Sequence, residues 1–180
     1  RNSILEKKPH LAEKMIMLPI FVDVLKIKNS PVNADLKQKY PGRFIVLMAS
    51  RLTKEKNIGL AIEAIGEIVK KHPQTLLLIV GDGLEYENLK PQTSNLKLQN
   101  NVVIENWSDD LASYYKSVDL FLLTSNYEGY GRTVVEATAA DLPVIMTDVG
   151  VAIGSVVPVG DKKTLVERLA SLIENSSERE

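Results

Sequence analysis

A chain of 180 residues with 44% hydrophobic side chains and a formal charge of −1 has the length of one domain and enough apolar mass for a core. The near-neutral balance gives no electrostatic reason to expect a nucleic-acid partner. Cysteine is absent, which removes disulfides, thiolate chemistry and Cys-based zinc together, and His10 and His72 are too few for a histidine-built metal site.

No apolar run reaches the roughly 20 residues that a bilayer-spanning helix needs. The opening "RNSILEKKPHLAEK" has no apolar signal core and no initiator Met, so a piece of a longer chain is expected. Residues 1–42 hold one apolar stretch, "MIMLPIFVDVLKI", followed by a polar one. They read as a linker plus a helix leading into a domain at 43–175.

From there strands and helices alternate. "RFIVLMA" (43–49), "TLLLIV" (75–80), "NVVIE" (101–105), "VDLFLLT" (118–124) and "LPVIMT" (142–147) are short apolar runs without strict alternation, as strands covered on both faces should be. "SVVPV" (155–159) is a weaker sixth, confined to an edge by Pro158. Helical spacing marks 57–72, 109–117, 132–140 and 161–175. A weaker helix at 84–98 is expected to be interrupted by Pro91. The tail 176–180 is expected to fray. The alternation predicts an α/β fold, a Rossmann-like doubly wound parallel sheet. Ligands of such sheets sit outside the carboxyl ends of the strands, so the loops after Ala49, Val80, Glu105, Thr124 and Thr147 are the ones to read.

The first of these loops, "SRLTKEKN", carries Arg51 and Lys56, a planar fork of donors and a point charge that suit a diphosphate; a solvated charged loop is the plainer reading. "VGDGLE" is a tight turn, but not the Gly-x-Gly-x-x-Gly fingerprint, and it follows the second strand. In "ENWSDD", Trp107 suits either stacking on a base or sugar or covering a core edge, while Asp109 and Asp110 suit the opening of the next helix.

The fourth loop is "EGYGRTVVE". Its glycines let the backbone turn toward a ligand, and free amides of Gly131, Arg132 and Thr133 would face an anion. Glu128 lies on the loop and has no structural excuse. Glu136, read as inside the first turn, fits two roles: acceptor for vicinal hydroxyls, or partner of an N-cap Thr133 in a capping box.

Taken together, "ASRLTKEKN", "LLIVGDG", "YYKSVDLFLLTSNYEGYGRTVVEATAADLPVI" and "VPVGDKKTLVERLASLI" resemble the carboxy-terminal domain of retaining glycosyltransferases of family 4, one half of the GT-B fold, in order over about residues 20–175. "MIMLPIFVD" looks like the interdomain linker of that family. The resemblance implies a donor-binding domain for a nucleotide diphosphate sugar of the UDP or GDP type. Arg51 and Lys56 match the pair that neutralises the diphosphate, and the amides of Gly131, Arg132 and Thr133 also hold phosphate. Glu136 matches the acid on the ribose hydroxyls, and Glu128 the acid on the donor sugar, with Gly129 and Tyr130 lining that site. Trp107 and Asp109 fall in the loop where the base is recognised. The implied catalytic set is Glu128, Arg51 and Lys56, with no cofactor and no metal.

The acceptor-binding amino-terminal domain is expected to lie outside this chain, leaving the isolated domain inactive. The full-length protein is expected in the cytoplasm, with peripheral association at the cytoplasmic face of a membrane. Three positions depart from the family pattern. Asp141 stands at a usual glycine, Trp107 replaces another, and the run after Gly150 is shorter by about a dozen residues. A catalytically silent nucleotide-sugar-binding module is the alternative; a nicotinamide dehydrogenase lacks its glycine fingerprint here.

Overall fold

The structure is a computed structural model that describes residues 7–14, 21–150 and 152–179. Its central strands are almost wholly apolar and are covered on both sides, whereas the edge strands are partly open. The strands are β1 (Phe44–Ala49), β2 (Thr75–Val80), β3 (Val102–Glu105), β4 (Leu120–Leu123), β5 (Val144–Thr147) and β6 (Ser155–Val157). They form one parallel sheet in the order β3-β2-β1-β4-β5-β6. β6 lies at the edge and ends before Pro158, as a residue without an N–H requires.

Successive side chains leave a strand on opposite faces. Val46 and Met48 of β1 therefore enter one apolar layer, with Leu77, Ile79, Leu120, Leu122 and Ile145. Ile45, Leu47 and Ala49 enter the other, with Leu76, Leu78, Phe121, Leu123 and Met146. Helices α3 (Ile58–Ile68), α4 (Tyr86–Asn95) and α7 (Lys162–Glu174) cover the first layer through Ile62, Leu89 and Leu169. Helices α2 (Ala34–Lys39), α5 (Leu111–Tyr115) and α6 (Arg132–Ala139) cover the second through Leu36, Tyr115 and Val134. Helices on both faces of a parallel sheet with this strand order make the fold doubly wound, as expected.

Among the described residues, the lead-in segment holds a 3-10 helix (Pro9–Lys14) and two short α-helices, α1 (Val24–Asn29) and α2, where one helix was expected. Asp23 and Asn33 explain the starts of α1 and α2: their side chains accept from the Lys26 and Leu36 amides. Both helices are tied to the domain, by Asn33 N–H donating to Ser117 Oγ at 2.6 Å and Lys116 Nζ donating to the Lys28 carbonyl at 2.7 Å. Of the expected linker, residues 15–20 lie outside the described residues.

Two expectations are corrected. α4 runs through Pro91 without interruption; the ring is exposed, so the carbonyl that lost its donor faces water. Residues 176–179 are ordered against the domain rather than frayed. Ser176–Glu178 form a 3-10 turn, and Arg179 donates to the Leu172 carbonyl at 2.6 Å and lies over the Phe44 ring. Among the described residues, no helix is long and apolar enough to cross a membrane.

α6 ends in a Schellman motif. Leu142 N–H donates to Ala137 O at 3.1 Å and Asp141 N–H to Thr138 O at 3.0 Å. The motif forces Asp141 into the left-handed region, with φ 58, where a Cβ is strained. Its ion pair with Lys28, at 3.7 Å between exposed groups, offsets little. Asp141→Gly should therefore raise stability by about 1 kcal/mol, read as a higher urea midpoint at unchanged m-value.

Candidate functional site

In this strand order the chain leaves β1 toward β2 on one side, and β4 occupies the other. The loops after β1 and β4 diverge, and a crevice opens between them at the topological switch point. Of the five loops picked out by position, those two flank it: residues 50–57 and 124–131. A surface groove of about 590 Å³ lies elsewhere, between α3, α4 and α7 on the flank of the sheet, and has no such topological origin.

The two crevice loops are joined by a charge pair. Lys56 Nζ lies 2.6 Å from Glu128 Oε1, with 13% and 11% of their side chains exposed. Ser125 Oγ donates to the same Oε1 at 2.7 Å. The frame around the pair is hydrogen-bonded throughout. Thr124 Oγ1 donates to the Lys56 and Asn57 carbonyls, and Thr147 Oγ1 to the Ser125 carbonyl at 2.6 Å. Asn126 N–H donates to the Glu55 carbonyl at 2.7 Å. Ser125 was not picked out from the sequence; its place three residues before Glu128 was the one signal that could have found it. Gly129 is exposed, and space is open where its Cβ would stand; Tyr130 beside it is half-buried.

Directly after this loop α6 begins. Gly131 is its N-cap, at φ 86, a conformation that glycine adopts without strain. The amides of Gly131, Arg132 and Thr133 have no acceptor among the described residues, so the helix start presents donors and its positive dipole end. The capping box does not form. With Gly131 at the cap, Thr133 is the second helical residue and Glu136 the fifth, in the second turn, where its carboxylate cannot reach back to the cap. Instead Glu136 Oε1 accepts from Arg132 Nε at 2.7 Å, and Oε2 accepts from the Tyr115 hydroxyl at 3.1 Å. The carboxylate keeps lone pairs for further donors. Tyr115, which sequence reasoning missed, stands edge-on to Phe121. Its burial, and then the Glu136 charge, push its phenol well above the ordinary value.

The remaining candidates are dispersed. Arg51 is exposed and its guanidinium pairs with Glu55, at 3.9 Å; the Lys56 charge also acts on Glu55, but its ammonium is bonded to Glu128. Trp107 is half-exposed and outside both apolar layers, so it is not a core-edge residue. Its Nε1 donates to Asp109 Oδ1 at 3.2 Å. Asp110 alone caps α5, accepting from Ser113 N–H.

The Gly-Asp-Gly turn is structural. Leu52 N–H donates to Asp82 O at 2.6 Å and Glu85 N–H to Leu52 O at 3.0 Å, which clamps the loop after β2 onto the loop after β1. A Cβ on Gly81 would fall inside the van der Waals shell of the Ser50 carbonyl oxygen.

A second carboxylate at the carboxyl edge, Glu105, is held by the lead-in segment. Lys39 Nζ meets its Oε1 at 2.6 Å, and the Tyr114 hydroxyl donates to Oε2 at 3.0 Å. The Glu105 hydrogen bond holds the Lys39 ammonium above its ordinary pKa. Burial, and then the Glu105 charge, push Tyr114 up to about 12. Both shifts act in one direction. Above about pH 10 the unfolded chain loses these protons while the fold retains them, so the unfolded state gains. Stability should be flat below that point and fall between about pH 10 and 12. Urea midpoints across this range check it, and Tyr114→Phe should make the fall shallower.

The strand order, with the open start of α6 and Lys56 beside the switch point, makes this a doubly wound α/β domain. Known proteins agree. The family described as "Glycosyl transferases group 1" matches residues 32–180, and the chain belongs to it. It is 33% identical over 163 residues to the capsular polysaccharide biosynthesis glycosyltransferase CapM of Staphylococcus aureus, covering 82% of this chain and 42% of that protein. Among solved structures, HepE of Anabaena in complex with UDP-glucose superposes with a TM-score of 0.79 at 26% identity, over 88% of this chain and 47% of that one. The C-terminal domain of the group 1 protein LpcC from Francisella tularensis shares the fold at 22% identity, with a TM-score of 0.76 over 88% of this chain and 91% of that one. The chain thus spans less than half the length of the curated relative and of the HepE chain.

Proposed function

We propose that this chain is the donor-binding half of a retaining glycosyltransferase, which moves a sugar from a nucleoside diphosphate sugar to a hydroxyl of a glycan, lipid-linked or other acceptor. The observation that carries this is the Lys56–Glu128 pair across the switch point, beside the open amides of α6. Lys56 and the helix start stabilise the departing diphosphate, with Arg51 able to swing in from solvent. The bond from the anomeric carbon to the diphosphate oxygen breaks, and its electron pair leaves with the nucleoside diphosphate. The acceptor oxygen bonds to that carbon on the same face, and its proton departs with the leaving group. Glu128 positions the sugar, and Glu136 accepts from the ribose hydroxyls. No metal enters this reading, because the cationic groups supply the countercharge. The acceptor is held by a further domain, and the full-length protein works at the cytoplasmic face of a membrane.

Calorimetric titration of the chain with UDP, GDP and ADP tests this. One nucleotide should bind, and Glu136→Ala and Arg51→Ala should each weaken it. Lack of binding by all three at millimolar concentration, in this chain and in a chain carrying the further domain, overturns the reading.

A further inference from the structure

The Lys56–Glu128 pair has two properties that a simple phosphate-binding lysine does not need. It is almost closed off from water, and both donors converge on a single carboxylate oxygen. Glu128 Oε2 has no hydrogen-bond partner among the described residues. The lysine that would meet a diphosphate is therefore already neutralised, by a carboxylate with one oxygen to spare.

We propose that Glu128 acts as a selector: it disfavours free nucleoside diphosphate and admits the sugar-bearing form. The inference rests on the donor-site reading above. A diphosphate that takes Lys56 leaves Glu128 with Ser125 alone, in a pocket from which water is largely excluded, and an uncompensated carboxylate there is costly. A nucleoside diphosphate has nothing to offer that carboxylate, and its own charge repels it. A sugar attached to the same diphosphate brings hydroxyl donors to Oε1 and Oε2 and restores the lost hydrogen bonds. The spent nucleotide then competes with fresh donor less well than its phosphates alone would allow. Arg51 and Lys56 have separate parts in this scheme. Arg51 is exposed and contributes to both ligands alike, whereas the contribution of Lys56 depends on what Glu128 receives in exchange.

The test is calorimetric titration of the chain with UDP and UDP-glucose, in the wild type, Glu128→Gln, Glu128→Ala and Lys56→Met, with circular dichroism to establish that each variant is folded. UDP should bind roughly 10-fold more tightly to both Glu128 variants than to the wild type, because Lys56 is no longer held by a charge. The preference of the wild type for UDP-glucose over UDP should shrink toward parity in both. Lys56→Met should lose UDP. Unchanged or weaker UDP binding in Glu128→Gln and Glu128→Ala overturns the selector while leaving the donor site standing. Absence of binding by either nucleotide in the wild type and in both Glu128 variants, in this chain and in a chain carrying the further domain, overturns the donor site, and the selector with it.

Discussion

Lys56→Met should destabilise the folded chain by about 3 kcal/mol, because it strands the Glu128 carboxylate in a nearly closed crevice. The two side chains are 13% and 11% exposed, so water replaces little of what the ammonium supplied. The reverse change should cost less. In Glu128→Gln the amide still accepts from Ser125, and the flexible lysine stem lets the ammonium reach solvent, so about 1 kcal/mol is expected. The double variant should cost only about 1 kcal/mol, recovering most of the Lys56→Met loss, for a coupling of about 3 kcal/mol in a double-mutant cycle of urea unfolding. Additive losses would show that the pair is a geometric coincidence without energetic coupling.

The second large effect is expected at Gly81. A methyl group there meets the Ser50 carbonyl oxygen, which is backbone and cannot rotate aside. The two loops are further stitched by the Leu52–Asp82 and Glu85–Leu52 bonds, so the clash must be relieved by moving β1 and β2 apart. Gly81→Ala should cost about 3–5 kcal/mol, a large share of the stability of an ordinary domain. Gly129→Ala is the control: no atom lies within contact of its added methyl, and its stability change should stay within about 0.5 kcal/mol. Thermal or urea unfolding of the two variants reads the contrast. A mild Gly81→Ala would mean that the clamp between the two loops can open, and the Lys56 loop with it.

The sequence carried the sheet because a strand buried on both faces is apolar almost along its whole length, and runs as short as "TLLLIV" have strand length rather than helix length. It also pointed to the crevice between the loops after β1 and β4, since doubly wound sheets open one at the strand carboxyl ends whatever their sequence. The left-handed Asp141 was signalled only by the resemblance, which has a glycine at that place; the Schellman turn there explains why a glycine suits it.

Local signals misled where two fitted one place. "TVVE" has the spacing of a capping box, yet Gly131 starts the helix two residues earlier and turns Glu136 toward Tyr115 and Arg132. Pro91 is a breaker by propensity, yet on an exposed face the lost hydrogen bond falls to water and the helix continues.

The sequence by itself thus determined the layers, the strand ends, and the two loops that carry Lys56 and Glu128. These follow from which residues tolerate burial and which turns the backbone permits. Only the tertiary structure decided who meets whom. Lys56 and Glu128 are 72 positions apart, and nothing local marks them as partners. They pair because the sheet sets β1 beside β4, which brings two distant loops to one crevice where a lone buried charge would be untenable. Arg51, on the same loop and nearer to the strand, is left in solvent with Glu55 at 3.9 Å.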